Sequence, residues 1–82
     1  MVYEVLLEKG AEKYLVKLSQ VARIRVIKAL SKIEDDPYQG KMLSGELKGL
    51  YSYRIGSLRA VYSIEGNMVV VHSLAPRGQV YK

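Results

Sequence analysis

The sequence predicts an α+β domain: an N-terminal strand, a two-helix hairpin and then an antiparallel meander of three strands. Three observations carry this reading. A β-branched and aromatic run opens the chain at residues 2–7, apolar residues recur at helical spacing over residues 11–34, and two Gly-containing dipeptides punctuate alternating runs from residue 50 onward. With 82 residues, 49% of them hydrophobic and 26% charged, the chain suits a single domain, residues 1–82, around one core.

The first run, VYEVLL, has strand composition, and Gly10 soon after it marks a break. Ala11, Tyr14, Leu15 and Leu18 then define a short amphipathic helix, with Glu12, Lys13 and Lys17 on its polar side. Ser19 is a natural cap for a second helix over residues 21–34. There Ala22, Val26, Ala29, Leu30 and Ile33 form the apolar stripe, while Arg23, Arg25, Lys28 and Lys32 face outward. Pro37 ends this helix just after Glu34, Asp35 and Asp36, three acids at a terminus where the helix dipole disfavours them. They read as a solvated turn. Residues 38–49 show no period and are expected to be a linker loop.

Strands over residues 50–55, 58–64 and 68–74 follow, joined by Gly56-Ser57 and Gly66-Asn67 as two-residue hairpin loops. Counting outward from the first loop pairs Ile55 with Leu58, Arg54 with Arg59, Tyr53 with Ala60, Ser52 with Val61 and Tyr51 with Tyr62. Side chains alternate along a strand, so Tyr51, Tyr53, Ile55, Leu58, Ala60, Tyr62 and Ile64 share the core face. Leu50, Ser52, Arg54, Arg59, Val61 and Ser63 share the other. The same count around the second loop sends Val69, Val71 and Ser73 to the core and Met68, Val70, His72 and Leu74 to the arginine face, with His72 opposite Val61. Residues 75–82 close the chain.

Charge is uneven. Residues 1–40 hold seven Lys/Arg against six Asp/Glu, whereas residues 41–82 hold six against two, and the net charge is +5. A basic half favours a phosphate-bearing or acidic partner. No cysteine supplies a disulfide or thiolate, and there is no phosphate-loop, GxGxxG or HExxH motif. One histidine completes no Ser/His/Asp set, and neither a metal nor a cofactor is expected. Without a long apolar run or a leader pattern, the expected location is the cytoplasm, with no membrane partner.

Arg54 opposite Arg59 is the unusual feature, because like charges across a strand pair cost from a few tenths to about 1 kcal/mol. Two five-donor guanidinium forks on one face form a clamp for a phosphate. Arg77 is positioned to add a third cation and Tyr81 a phenol. For chemistry on RNA, arginines suit the phosphate oxygens but are poor proton carriers, leaving Tyr81 and His72 as titratable candidates.

The run KGLYSYRIGSLRAVY (residues 48–62) and the run VVVHSLAPRGQVY (residues 69–81) resemble stretches of the RelE/ParE toxin superfamily, the toxin halves of toxin–antitoxin pairs. The resemblance spans essentially the whole chain and aligns Gly49, Arg54, Gly56, Arg59, Tyr62, Arg77 and Tyr81 in order and spacing. It implies a RelE-like fold and, in the RelE-like branch, a ribosome-dependent endonuclease that cuts mRNA by 2′-hydroxyl attack. By position it implies a basic residue near the attacked phosphate at Arg54 and a transition-state phosphate ligand at Arg59. Arg77 would lie near the leaving oxygen, and Tyr81 would stack on or orient the substrate.

Ser52 stands where active members often carry lysine, and Leu58 where tyrosine is common. Lys48 or His72 is then the expected substitute cation, and Lys48, Ser52 and His72 are the expected substrate-contacting residues. The ParE-like branch implies inhibition of DNA gyrase instead, and a third alternative is a catalytically weak homologue that mainly binds its antitoxin. In every case the implied partner is a cognate RelB-like antitoxin in a hetero-oligomer, with ribosome and mRNA as targets in the first. Val61 and Leu74 are the expected exposed apolar residues beneath the antitoxin.

Overall fold

The structure is a computed structural model that describes residues 3–43, 45 and 49–76. Strand β1 (Glu4–Leu7) is followed by helices α1 (Lys9–Lys17) and α2 (Gln20–Asp35), a 3₁₀ turn (Pro37–Gln39), and strands β2 (Lys41–Met42), β3 (Tyr51–Ile55), β4 (Leu58–Glu65) and β5 (Met68–Pro76). The predicted α+β architecture is present, with a richer sheet. Five strands lie in the order β1-β5-β4-β3-β2, and β1 runs parallel to β5 as Glu4–Leu7 pair with Met68–Val71.

Both helices cover one face of this sheet. α1 lies chiefly against β5, and α2 meets β1 and β3. Gly10 sits within the first turn of α1 rather than breaking the chain, since tertiary packing of Ala11 outweighs the weak helix propensity of one glycine. Ser19 caps α2 as its spacing predicts, its Oγ accepting from the Ala22 amide at 3.2 Å. At the other end Gln39 Nε2 donates to the Lys32 carbonyl at 2.7 Å and to the Asp36 carbonyl at 3.0 Å. Asp36 has a structural use as well, because its Oδ1 accepts from the Tyr38 amide at 3.1 Å and starts the 3₁₀ turn.

The core joins Ala11, Val26, Ala29 and Ile33 of the helices to Ile55, Ala60, Tyr62, Val69, Val71 and Leu74 of the strands. Gly56 and Gly66 have φ of 62° and 65°, and the residues after them do not have positive φ. A positive φ at the first central position alone marks the type II′ hairpin, whose twist matches the flanking strands. The β3–β4 register then follows as counted from the sequence, with Arg54 opposite Arg59.

Two expectations fail in instructive ways. Residues 38–49 are not simply a loop, because Lys41 and Met42 pair with Ser52 and Tyr51 to form the β2 edge. This pairing between distant residues leaves no local hydrophobic period to read. The β4–β5 register shifts between Val61 and Tyr62, so Val61 faces Ser73 and Tyr62 faces Val71, with His72 as the extra residue. The bulge reverses the alternation beyond it. Leu74 therefore joins the core and Ser73 takes the place opposite Val61, the reverse of the simple count.

Tyr62 is the largest fully buried side chain. Its ring stacks on Tyr51 at 5.6 Å, and Tyr38 meets Tyr51 edge-on at 6.0 Å. Its hydroxyl donates to the Pro37 carbonyl at 2.6 Å, and burial pushes its phenol up to about 12. Gly40 fits beside it because it lacks a side chain: a Cβ there would collide with the Tyr62 hydroxyl and lie 3.1 Å from the Ser52 carbonyl oxygen.

Gly40→Ala is therefore expected to lower stability by about 1–3 kcal/mol, read as a shift in urea midpoint at constant slope. Tyr62→Phe should cost about 1–3 kcal/mol at neutral pH by leaving the Pro37 carbonyl without its donor. The unfolded phenol ionises near pH 10, whereas the folded one holds its proton to about 12. That contribution is complete below about pH 10 and disappears as pH rises towards 12, amounting to roughly 2–3 kcal/mol. The wild-type chain should thus lose stability more steeply across this window than Tyr62→Phe, which a pH series of denaturant curves measures.

Candidate phosphate-binding face

The sheet face opposite the helices collects the candidate residues because β3 and β4 are joined by a two-residue turn. Arg54 and Arg59 form a direct cross-strand pair, and Ser52 precedes Arg54 by two residues on the same face. Arg54 is exposed and Arg59 half-buried. Facing pairs of this kind hold their Cβ atoms roughly 4.5–5.5 Å apart, close enough for both guanidinium groups to reach one anion.

Ser52 is 7% exposed, so a small side chain fills this part of the face. Its partner across the β2–β3 pairing is Lys41, which is exposed. Lys41 thereby joins Ser52, Arg54 and Arg59 on one face, a cation that the sequence reading left in a loop. The available signal was slight: an isolated Lys-Met pair between glycines. Its position depends on the closure of Gly40 over Tyr62, some twenty residues away.

His72 lies in the β5 bulge rather than opposite Val61. Its Nδ1 is 2.9 Å from Glu8 Oε1, and its Nε2 is 2.8 Å from Ser63 Oγ. The Ser63 hydroxyl donates its proton to Glu65 Oε2 at 3.0 Å. A linear Glu8–His72–Ser63 chain thus exists, although one histidine seemed to complete no such set in the sequence. A nearby carboxylate on Ser63 disfavours a serine alkoxide, and both histidine nitrogens are engaged within the fold. The chain ties the start of α1 to β4 and β5 beside the arginine face.

Val61 and Leu74 are each 4% exposed, which corrects the expectation that they offer an apolar surface beside the arginines. Leu74 points into the core because of the bulge. Lys48, Arg77 and Tyr81 lie outside the described residues. Among the described residues no cluster of His, Asp or Glu is arranged to hold a metal ion. Nor, among the described residues, is any helix long and apolar enough to cross a membrane.

Comparison with known proteins decides the family. A model described as "ParE toxin of type II toxin-antitoxin system, parDE" matches residues 5–81. The chain belongs to the RelE/ParE superfamily of type II toxins. Its structure is similar to one in the RelBE2 toxin–antitoxin complex of Mycobacterium tuberculosis, with TM-score 0.85, 30% identity and coverage of 94% of this chain and 100% of that one. It also resembles a chain of the archaeal RelE–RelB complex of Pyrococcus horikoshii, with TM-score 0.76, 25% identity and coverage of 96% and 99%. For the intact RelBE complex of E. coli the likeness is one of fold, at TM-score 0.79 and 21% identity over 94% and 99% of the chains. Among curated proteins none matches.

Arg54→Glu sets a carboxylate directly across the strand pair from Arg59 and should make the β3–β4 hairpin more stable. A rise of a few tenths to about 1 kcal/mol is expected, measured by urea denaturation at low salt and diminishing as salt screens the pair.

Proposed function

We propose that the protein is the toxin of a type II toxin–antitoxin pair and acts in the cytoplasm as a ribosome-dependent mRNA endonuclease. The observation that carries this reading is the sharing of one sheet face by Arg54, Arg59 and Lys41. Three cations on one face suit the phosphate oxygens of an RNA strand as charge accumulates on them. In the cleavage step the 2′-oxygen attacks the adjacent phosphorus, the bond to the 5′-oxygen breaks, and a 2′,3′-cyclic phosphate and a 5′-hydroxyl result. The 2′-hydroxyl proton passes to a base and the leaving 5′-oxygen receives one from an acid.

Arg59 and Arg54 hold the non-bridging oxygens in this mechanism, with Lys41 in the place of Lys48 or His72 as the supplementary cation near Ser52. His72 supports the face through Glu8 and Ser63. Arg77 assists the leaving oxygen, and Tyr81 stacks on or orients the substrate, as their sequence positions imply. A cognate RelB-like antitoxin is the partner that restrains the toxin, with acidic side chains suited to neutralise the clamp. Its occurrence in the complexes of structurally similar toxins supports this assignment.

A second reading, inhibition of DNA gyrase, is favoured by the ParE description of the matching family model. It requires no phosphate-cleaving residues. A homologue with little catalysis that chiefly binds antitoxin is the third, favoured by Ser52.

Adding the protein to translating ribosomes and to isolated mRNA, then mapping new RNA ends, separates them. Ribosome-dependent cuts are expected, reduced about 10²–10³-fold in Arg59→Ala and in Arg77→Ala, the scale of a lost transition-state donor. Lys41→Ala should lose about tenfold. Intact mRNA with gyrase-dependent DNA breaks would establish the second reading, and neither effect would leave the third.

A further inference from the structure

A second basic feature lies between α2 and the edge of β3, sharing Arg54 with the clamp. A groove of about 240 Å³ is lined there by Arg25, Lys28, Lys32, Tyr53, Arg54 and Gly56, among others. Arg25, Lys28 and Lys32 are exposed and spaced i, i+3 and i+7, which puts them in one row along the helix. At about 1.5 Å per residue this row is roughly 10 Å long. Among the described residues β2 pairs with β3 at Tyr51 and Ser52, and the groove's other wall is the edge of β3 beyond that pairing. Arg25 reaches across to it: a Cβ added at Gly56 would lie 3.8 Å from the Arg25 Nη1.

We propose that this groove binds the phosphodiester backbone of a single polynucleotide strand, as a site additional to the catalytic face. A stacked strand rises ~3.4 Å per nucleotide along its axis, so a row of ~10 Å spans about three nucleotides. The half-buried Tyr53 ring in the same wall offers a base a stacking surface. An acidic helical peptide would need apolar anchors in addition to charge. Here the groove's apolar lining residues, Ala29 and Ile55, are already buried in the core at 8% and 7% exposure. The groove thus offers charge and an aromatic edge, which fit a nucleic-acid strand. Arg54, at the rim of the groove and on the clamp face, makes one continuous basic path around the β3 edge.

The test uses the full chain with fluorescein-labelled oligouridylate and oligothymidylate of about twelve nucleotides, and with a polyglutamate peptide of similar length. Anisotropy is followed between about 50 and 200 mM salt. Each cation on a single strand contributes about 0.7 to the slope of log affinity against log salt. The triple variant Arg25→Gln, Lys28→Gln, Lys32→Gln should therefore lower that slope by about 2, and Lys28→Gln alone by about 0.7. A loss of slope with oligouridylate identifies RNA as the source of the strand, and one with oligothymidylate identifies DNA. An unchanged slope in variants that melt like the wild type would overturn the proposal, as would polyglutamate binding as tightly as either oligonucleotide. Neither ribosomes nor cleavage enter the measurement, so it can succeed where the nuclease reading fails, and the reverse.

Discussion

The hydrogen bond from the Tyr62 hydroxyl to the Pro37 carbonyl, 2.6 Å long with the tyrosine fully buried, is the constraint on which the arrangement around β2 depends. It fastens the segment after α2 to the middle of the sheet. Gly40 can then pass over the phenol because no Cβ intervenes, and the chain arrives at β3 in the register that places Lys41 opposite Ser52. A buried donor without an acceptor would be costly, so the bond holds Pro37 against the core just ahead of β2. The same burial that makes the bond strong keeps the phenol protonated.

Placing cations together works against the stability of a small domain, and the fold limits the cost in different ways at its two basic features. On α2 the positive side chains occupy solvent-facing positions of an amphipathic helix whose opposite stripe is Val26, Ala29 and Ile33. Water screens them from one another. Arg54 and Arg59 have no such freedom, because the II′ turn fixes them directly opposite each other. Their direct apposition is built into the hairpin rather than left to side-chain motion.

Much of this was legible in the sequence. The helical stripes, the Ser19 cap and the β3–β4 register all arise from short-range rules, since periodicity and turn chemistry act within a few residues. The arginine pair followed from counting outward from Gly56-Ser57, and its position on the face opposite the core followed from alternation. Reading failed where one residue changed the count. The bulge at His72 exchanged the faces of Ser73 and Leu74, and no residue type at that place announces an extra residue in one strand.

Family membership, the α+β class and the facing arginines are thus written in the chain, because each rests on local periods or on the order of a few distinctive residues. Tertiary structure alone decided that Lys41 joins the arginines, that His72 is held between Glu8 and Ser63, and that Arg25, Lys28 and Lys32 border a groove. Each of these depends on segments far apart in sequence: the β2–β3 pairing for Lys41, the β5 bulge beside β4 and the start of α1 for His72, and the packing of α2 beside β3 for the groove. No local pattern encodes such distances.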